Sequence, residues 1–535
     1  MRFLVVDALA RASGSRYTSF DVVGAGPRIV AGIIHEAGYD TKLLSYELFM
    51  KESNLEQYDI VMVSIMSSDK GTLKRIINKL EEKNFKGILI VGGPASFEYN
   101  VLLQEYSRID YVMVGEGEIP LESILKNPQI LFDKDPKQLS NIPALAYRNE
   151  DTIYLTSQHI HTPAEKLSSI RPWTNIRVSY ENYRVHRYYV EVLRGCSNYQ
   201  RPMITGYPGL NCTRCFLCKS PDMEKRLVCP ANIPPGCGFC SVPYMFGPAR
   251  SRSIDSIVEE IKELIKNGAR RIVLSAPDFL DYGRDWLVKP KPLTNPCDPP
   301  TNIEAIDQLL GEIYDLSSVK NGIVRVFIEN IKACLVDDKV ASLLGKYLKG
   351  TTVHIGLETG DNWFNEYVLG KPIFKEHVIR AVKLLSKHGL RPYVYLIYGL
   401  PFMNRKTYLE TIKTVKELSS LGVEKITLYK YVKLPGTAFR NIDFGIEGFE
   451  DLVSKLKNVV YRVNVNKKKF FIGKKLRVYL VYSNGKYYGY PVDHGPVVFV
   501  KGVNKPGYSN CLALVEIYDV GPRNLWGRLI DIIEC

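Results

Sequence analysis

The stretches Glu191-Val-Leu-Arg-Gly-Cys196 and Cys237-Gly-Phe-Cys-Ser-Val-Pro243 decide the fold of this chain. The first ends a strand that is predicted at Tyr189–Leu193 and that leads to a glycine and a cysteine. The second precedes a segment with helical periodicity, residues 254–266. Seven of the 11 cysteines lie from Cys196 to Cys240, and none precedes them. This concentration is typical of metal binding or catalysis and not of a dispersed disulfide framework.

Short apolar strands alternate with amphipathic helices in residues 1–125, before the cysteines. This alternation predicts a doubly wound parallel sheet, in which ligands bind at the carboxyl ends of the strands. Two glycine-rich turns, Gly92-Gly-Pro94 and Gly115-Glu-Gly-Glu118, follow predicted strands and therefore lie at that edge. Residues 126–185 contain several prolines and are interpreted as a linker.

A second series of strands and helices occupies residues 186–445, with a cysteine-rich insertion at residues 197–236. The series predicts a partial or complete (β/α) barrel whose chemistry lies at the carboxyl ends of the strands. Residues 446–535 change to short alternating strands with Gly and Asn turns, which predict a small antiparallel barrel. The predicted fold class is therefore α/β, with three domains and a linker.

Charge and hydropathy exclude a membrane span, because the longest apolar runs have only the length of a strand. The start of the chain reads as a strand and not as a secretory signal, so a cytoplasmic protein is expected. The net charge is +14, from 71 Lys plus Arg against 57 Asp plus Glu. This excess indicates either a polyanionic partner or only a lysine-rich surface.

Three thiolates can bind three irons of a 4Fe-4S cluster and leave the fourth iron open for S-adenosylmethionine (SAM). The motifs at Cys196 and Cys237, with Arg250-Ser-Arg-Ser253 before a helix, resemble those of the radical SAM family, in its cobalamin-binding branch. The resemblance covers residues 1–445. It implies three cofactors, namely the cluster, SAM and cobalamin.

The resemblance also implies which residues contact SAM. Gly356-Leu-Glu-Thr-Gly360 resembles the segment that contacts the ribose, and Glu358 is the expected hydrogen-bonding residue. Ile397-Tyr-Gly-Leu-Pro401 resembles a late strand that contacts the adenosine, which places Tyr398 there. Arg252 is expected to pair with the SAM carboxylate, because its guanidinium matches that group. Ser275 follows a strand at the edge where cofactor contacts collect.

In the first domain, five residues resemble the signature turns that bind cobalamin: Ser64, Gly92, Gly93, Gly115 and Glu116. The aspartate–x–histidine–x–x–glycine signature that would supply an axial histidine is absent. Cobalamin is therefore expected to bind without a histidine ligand.

The long gap between the first two cluster cysteines departs from the family pattern and leaves two assignments open. In the first, which we favour, the cluster ligands are Cys196, Cys237 and Cys240, and a second site for zinc or iron is formed by Cys212, Cys215, Cys218 and Cys229. In the second, Cys229 is the first cluster ligand and Cys196 joins the other three. The first is favoured because Cys196 stands where the family's first ligand leaves its strand.

The resemblance implies a class B methyltransferase that moves a methyl group from methylcobalamin to an unactivated carbon, with no catalytic side chain identified. The archaeal-looking Ile and Lys usage and the long cysteine gap are similar to the protein glutamine C-methyltransferases that modify methyl-coenzyme M reductase. A protein or peptide is therefore the expected substrate, and a ferredoxin or flavodoxin the expected reductant. The tail resembles a TRAM barrel, and this implies RNA (tRNA) modification as the alternative.

Overall fold

A computed structural model describes residues 1–14, 20–503 and 506–535 of the chain. These residues divide into two compact units. The first unit comprises residues 1–191 and 252–272, and the second comprises residues 192–251 and 273–535.

The first unit is built on a seven-stranded sheet, in which the first five strands in spatial order are parallel, as predicted. Their apolar runs are buried almost without interruption, because helices cover both faces of such a sheet. The spatial order is Asp40–Ser45, Arg2–Asp7, Ile60–Ser64, Ile88–Gly92, Tyr111–Met113, Leu145–Asn149 and Thr152–Leu155.

The last two strands of this sheet lie in the region predicted to be a linker. Leu145–Asn149 pairs antiparallel with Tyr111–Met113, and Thr152–Leu155 pairs antiparallel with Leu145–Asn149. The sheet therefore extends to Leu155, beyond the predicted boundary at residue 125. A separate parallel pair in this unit joins Val22–Val23 to Arg187–Glu191.

The helices of the first unit include the predicted amphipathic segment before residue 268. Within the described ranges of the chain, none of the helices is both long enough and apolar enough to cross a membrane. The helices of this unit are Ala25–Glu36, Tyr46–Phe49, Lys70–Glu82, Tyr99–Glu105, Glu118–Lys126, Ile130–Asp133, Pro136–Leu139, Ala164–Ser169, Ile176–Ser179 and Ile254–Lys266.

The second unit contains a parallel sheet in the order Asn330–Ile331, Thr352–Glu358, Arg391–Tyr398 and Lys425–Lys430. Because its strands are parallel, their carboxyl ends meet at one edge, as the barrel prediction requires. The strands Arg271–Ser275 and Arg325–Ile328 precede it in the chain. One helix follows each strand of this sheet: Asp338–Leu348, Lys375–Lys387, Arg405–Ser420 and Glu450–Lys468. Three further helices of the unit precede the sheet in the chain: Val242–Phe246, Ile303–Tyr314 and Ser317–Lys320.

The predicted small barrel is confirmed as a closed barrel of five strands. Its interior is apolar and includes Val478, Val498, Val515 and Leu525. In spatial order the strands are Lys475–Ser483, Lys486–Pro491, Val497–Lys501, Asn524–Glu534 and Leu512–Val520.

The barrel packs against the amino ends of the parallel strands. His494 Nδ1 forms a hydrogen bond with Thr352 Oγ1 at 2.6 Å, and the guanidinium of Arg391 donates to the carbonyl oxygen of His494 at 3.0 Å. Arg325 Nε lies 2.7 Å from Asp493 Oδ1. Thr352, Arg391 and Arg325 each begin a strand. The barrel therefore lies at the end of the sheet opposite to the carboxyl edge.

The four cysteines outside the cluster region are paired, which the sequence analysis did not predict. The disulfides join Cys297 to Cys334 and Cys511 to Cys535. The seven cysteines of the cluster region are free thiols.

Candidate functional site

Three of the free thiols lie together in the second unit. Cys196 follows the strand Leu193–Arg194, and its backbone N–H donates to Gly247 O at 3.1 Å. The preceding Gly195 has φ +86°, and a Cβ there would lie 2.2 Å from Pro248 O, so only glycine allows this approach. Cys240 N–H donates to Cys237 O at 2.8 Å, a tight turn that places both thiols on one side.

Asn198 connects two of these thiols. Its backbone N–H donates to Cys196 Sγ at 3.4 Å, and its side-chain amide donates to Cys237 Sγ at 3.2 Å and to Gly370 O at 2.9 Å. Donors aimed at sulfur stabilise the thiolate form, which is the form that binds metal. The sequence analysis did not identify Asn198, because a single Asn near a cysteine carries no pattern.

The pKa values of the three thiols report burial and mutual proximity. Burial raises the pKa of Cys240 to about 12, and the charges of Cys237 and Cys196 act in the same direction. Burial also raises the pKa of Cys237 to about 11, with Lys371 opposing and Cys196 adding to the rise. The pKa of Cys196 is raised by burial and opposed by Lys332. A metal must therefore displace protons to bind here.

Glu358 lies beside the thiols and is paired with a lysine. It ends its strand with φ +72°, its side chain is buried, and its carboxylate bonds to the ammonium of Lys371. A Cβ at Gly356 would lie 2.7 Å from Glu358 Oε1, so this glycine makes room for the carboxylate. Although burial opposes the charge, Glu358 and Cys237 hold the pKa of Lys371 above its usual range. The sequence analysis predicted Glu358 but not Lys371.

A second buried lysine lies on the other side of Cys196. Lys332 Nζ is 2.7 Å from Asp278 Oδ2, 2.6 Å from Asp281 Oδ2 and 2.9 Å from Ser197 Oγ. Asp281 also bonds to the guanidinium of Arg284. Burial opposes ionisation of Asp281, but Lys332 and Arg284 hold its pKa below the usual value. Two cationic side chains, Lys332 and Lys371, thus face the three thiols.

The number of thiols in this group is the number that an open 4Fe-4S cluster requires. Across residues 1–14, 20–503 and 506–535, no three His, Cys, Asp or Glu side chains converge closely enough to hold one metal ion. The three thiols, the sulfur-directed amide and the two lysines are nevertheless a donor set suited to a 4Fe-4S cluster, because three cysteines can bind three of its irons.

The other four thiols form a separate group. They line one small pocket together with Arg201 and Met203. The structure thus places Cys229 with the insertion cysteines and Cys196 with the pair that follows the insertion. The members of the second group are Cys212, Cys215, Cys218 and Cys229.

The structure gives Arg252 a different role from the predicted one. Its guanidinium donates to Glu260 Oε2 at 2.7 Å and to Glu191 O at 2.9 Å within the first unit. Arg28 binds the other oxygen of Glu260, also at 2.7 Å. These side chains are all buried. In this structure Arg252 therefore stabilises the core of the first unit, and its pairing with a SAM carboxylate stays a prediction.

Tyr398 contacts a neighbouring helix of the second unit. Lys457 Nζ lies 4.6 Å from the centre of its ring, in a pocket that it shares with Glu450 and Val453 of that helix. Ser275 ends its strand, and its carbonyl oxygen accepts from the backbone N–H of Val192 at 2.9 Å. Glu358 is thus a predicted SAM contact that lies beside the thiols, and contacts of Tyr398 and Ser275 with SAM stay predictions.

The predicted cobalamin turns lie at one edge of the sheet of the first unit. Ser64 and Gly92 are paired at the ends of adjacent parallel strands. Gly93 follows with φ +85°, and a Cβ there would lie 2.7 Å from Ile65 O. The backbone at Gly93 therefore packs closely against the residue that follows the adjacent strand. No side chain projects from Gly93 at this edge, and this leaves room for a broad ligand across the strand ends.

The next turn continues the same edge. Gly115 has φ +83°, its N–H donates to Ser96 Oγ at 3.1 Å, and a Cβ would lie 2.8 Å from His159 Cβ. The carboxylate of Glu116 is buried and accepts from the N–H of Thr162 at 2.8 Å. The carboxylate of Glu116 therefore holds the turn in place, and Gly115 leaves its backbone without a side chain at the edge of the sheet. This cradle of backbone groups fits cobalamin.

Replacing Gly93 by alanine is expected to lower the stability of the cobalamin-free protein by about 1–3 kcal/mol, because alanine is strained at positive φ and its Cβ would overlap Ile65 O. Gly92→Ala is the matched control, because its Cβ would meet only Met113 O, at 4.0 Å. The midpoint of thermal unfolding measures both. Equal midpoints for the two variants would contradict the described geometry of this turn.

Two family comparisons match the two halves of this arrangement. Residues 17–125 match the B12 binding domain, and residues 228–437 match the radical SAM superfamily. The second match includes Cys229 and leaves out Cys196, so by itself it favours the alternative ligand set. The geometry favours Cys196, because only that thiol lies with Cys237 and Cys240. The family match can begin after Cys196 because the 40-residue insertion interrupts the motif between Cys196 and Cys237.

Relatives match the chain over its whole length. It is 36% identical to an uncharacterized protein of Methanopyrus kandleri, with 99% of this chain and 96% of that protein covered. It is 37% identical to an uncharacterized protein of Methanocaldococcus jannaschii, with 100% of both covered. A putative methylthiotransferase of the same organism is 24% identical, with 83% of this chain and 82% of that protein covered.

Solved structures share the fold at low sequence identity. The radical SAM methyltransferase TsrM from Kitasatospora setae, with cobalamin and a 4Fe-4S cluster bound, matches with TM-score 0.58 and 15% identity, covering 82% of this chain and 74% of that one. The cobalamin-dependent SAM radical enzyme OxsB matches with TM-score 0.54 and 14% identity, covering 86% and 56%.

Proposed function

Since the chain belongs to the radical SAM enzymes that bind cobalamin, we propose that it transfers a methyl group from cobalamin to an unactivated carbon of its substrate. The observation that carries the proposal is the group of three buried thiols beside two lysines and Glu358 in the second unit. The glycine turns at the sheet edge of the first unit support the cobalamin part of the proposal.

The proposed cluster ligands are Cys196, Cys237 and Cys240. Asn198 holds two of these sulfurs by hydrogen bonds and fixes their positions before the metal binds. The charges of Lys332 and Lys371 offset the negative charge of the thiolates in a buried site, where an unpaired charge is costly. Cys229 remains with the insertion cysteines and takes no part in this site.

When bound, the cluster and SAM supply a 5′-deoxyadenosyl radical, and cobalamin supplies the methyl group. Glu358 would accept hydrogen bonds from the ribose hydroxyls, and its hydrogen bond with Lys371 orients the carboxylate for this role. Glu358 is buried and the three thiols and Lys371 are half-buried, so this site would limit the access of water to the radical.

The proposed acceptor is a protein or peptide side chain, and the most specific form of the proposal is a glutamine of methyl-coenzyme M reductase. The long gap between Cys196 and Cys237, which is similar to that of the protein glutamine C-methyltransferases, supports this choice of substrate. A ferredoxin or flavodoxin is the proposed electron donor.

A second candidate is RNA modification, which one feature of the small barrel favours. Tyr488, Phe499 and Trp526 form a row across three adjacent strands, with ring centres 5.2 and 4.9 Å apart. Lys501 Nζ lies 5.7 Å from the ring of Trp526. Phe499 and Trp526 alternate with interior residues and so face outward. Stacked aromatic rings beside a cation can bind single-stranded nucleic acid.

Anaerobic reconstitution tests the proposed function. The reconstituted, reduced protein is expected to bind about one cobalamin and one 4Fe-4S cluster per chain and to release 5′-deoxyadenosine from SAM. Label from methyl-labelled SAM is then followed into protein and RNA fractions of a cell extract. Failure to bind cobalamin, or failure to release 5′-deoxyadenosine, refutes the proposal.

The two substrate classes separate in the same experiment. Label in a protein that survives ribonuclease supports the protein acceptor. Label in RNA, together with RNA binding that weakens steeply between low and moderate salt, supports the second candidate instead.

A further inference from the structure

The pocket of the insertion is formed by a chain segment that turns sharply at its cysteines. Cys212, Cys215 and Cys218 are each separated by two residues. The intervening Arg214 and Phe216 have φ +54° and +58°, and Arg214 N–H donates to Cys212 Sγ at 3.3 Å. This succession of tight turns, with a backbone N–H aimed at sulfur, gathers the three thiols around the pocket that Cys229 completes.

Two arginines are buried around this pocket without acidic partners. Arg201 and Arg226 are each 4% exposed. Arg201 donates to the carbonyl oxygens of Ile233, Tyr199, Arg226 and Leu227, and Arg226 donates to those of Ser220 and Cys218. Among the residues that the structure describes, no carboxylate lies within 4.0 Å of either guanidinium. The fold thus buries two positive charges that only neutral carbonyl groups contact.

A buried cation is costly unless a negative charge offsets it. The neighbouring groups that can become negatively charged are the thiols, which do so when they lose a proton. All four thiols line the pocket that Arg201 also lines, and Arg226 donates to the carbonyl oxygen of Cys218. Four neutral thiols would leave no negative charge in contact with either guanidinium.

We propose that Cys212, Cys215, Cys218 and Cys229 bind one zinc ion as four thiolates, and that Arg201 and Arg226 neutralise the resulting charge. The net charges cancel, because one Zn²⁺ with four thiolates carries about −2 and the two guanidinium groups carry about +2. A closed set of four thiolates is the usual structural zinc site and leaves no position open for a substrate. Zinc binding requires the four thiols to close in on the pocket, because no three of them converge at single-ion distance in the described residues.

The insertion also contacts the segment that carries Lys371. Lys219 Nζ is 2.6 Å from Glu366 Oε1, and Met203 N–H donates to Tyr367 O at 2.7 Å. A Cβ at Gly370 would lie 2.5 Å from the backbone of Arg201. A folded insertion therefore packs directly against the backbone that positions Lys371.

Metal counting tests the zinc site. Protein purified without added cluster is expected to contain about one zinc per chain and none of its iron in this site. Cys215→Ser is expected to lose this zinc and to retain the reconstituted cluster, whereas Cys240→Ala loses the cluster and retains the zinc. Absence of zinc from the wild type, iron in place of zinc, or zinc retention by Cys215→Ser overturns the proposal. Each result stands independently of SAM cleavage.

The charge balance is tested by zinc affinity, measured by competition with a chelator at fixed pH. Arg226→Met is expected to bind zinc about tenfold more weakly, a typical cost of losing a group that supports metal ligands. Arg226→Lys keeps the charge and is expected to remain within about threefold of the wild type. Lys225→Met is the matched control, because Lys225 is the exposed neighbour.

If Arg226→Met and Lys225→Met bind zinc with equal affinity, then Arg226 does not neutralise the charge of the zinc site and this part of the proposal is wrong. If Arg226→Met does not fold, Co²⁺ added to zinc-free, cobalamin-free wild type replaces it as the test. Co²⁺ is then expected to give the visible absorption of a tetrahedral thiolate complex, and an octahedral spectrum overturns the site.

Discussion

Cys196→Ala is expected to abolish the reconstituted cluster and to reduce release of 5′-deoxyadenosine by more than about 100-fold. The loss should be this large because changes to groups that only support metal ligands already cost about 10–100-fold. Two thiolates cannot hold the cube by three corners, and the open iron loses its defined position. Iron content, the visible absorption of the cluster and the rate of 5′-deoxyadenosine release measure the effect.

Cys229→Ala is the matched control, because it removes a thiol from the neighbouring group of four. It is expected to keep the reconstituted cluster and at least about half of the cleavage activity. The opposite result, cluster loss in Cys229→Ala and retention in Cys196→Ala, would establish the alternative ligand set. The wide separation of the two outcomes makes this the most direct test of the site.

Lys332→Met is expected to lower the free energy of unfolding by about 3–5 kcal/mol, because it leaves Asp278 and Asp281 buried with less positive charge. The ammonium now contacts both carboxylates at 2.6–2.7 Å and is only 12% exposed. Arg284 still neutralises part of the charge of Asp281. The shift in the midpoint of urea denaturation measures the loss.

Lys339→Met controls for the general effect of replacing a lysine, because Lys339 is exposed in the same unit. Its expected effect is within about 0.5 kcal/mol. A similar small effect for Lys332→Met would show that the two aspartates do not need this ammonium. The prediction that the ammonium of Lys332 stabilises the two buried carboxylates would then be wrong.

Much of the fold follows from local pattern. The buried runs Ile60–Ser64 and Ile88–Gly92 and the late change to short alternating strands were sufficient to predict the parallel sheet and the small barrel. The hairpin of Leu145–Asn149 and Thr152–Leu155 was not predicted. Its strands are short, the second is half-exposed and lies at the edge of the sheet, and prolines surround them, so their local signal is weak.

From the sequence, site residues could be predicted only where they belong to a recognisable motif. Cys237, Cys240 and Glu358 belong to recognisable segments, but Lys332 and Lys371 are single lysines whose partners lie far away in the sequence. Their importance comes from burial beside carboxylates and thiols, which only the folded chain brings together. Arg252 shows the reverse case. Its motif was visible in the sequence, but its hydrogen bonds to Glu260 and Glu191 O were not.

The small barrel is attached at the amino ends of the parallel strands, and the proposed SAM site lies at their carboxyl ends. A substrate that contacts both must therefore have a minimum length. Thr352 contacts the barrel, and Glu358, at the other end of the same strand, contacts the proposed SAM site. The two residues are the ends of a strand of seven residues, and its six steps of about 3.3 Å separate them by about 20 Å. A nucleoside or a tripeptide is too short to bridge them, so a gain in affinity from the barrel requires a long, folded or extended macromolecule.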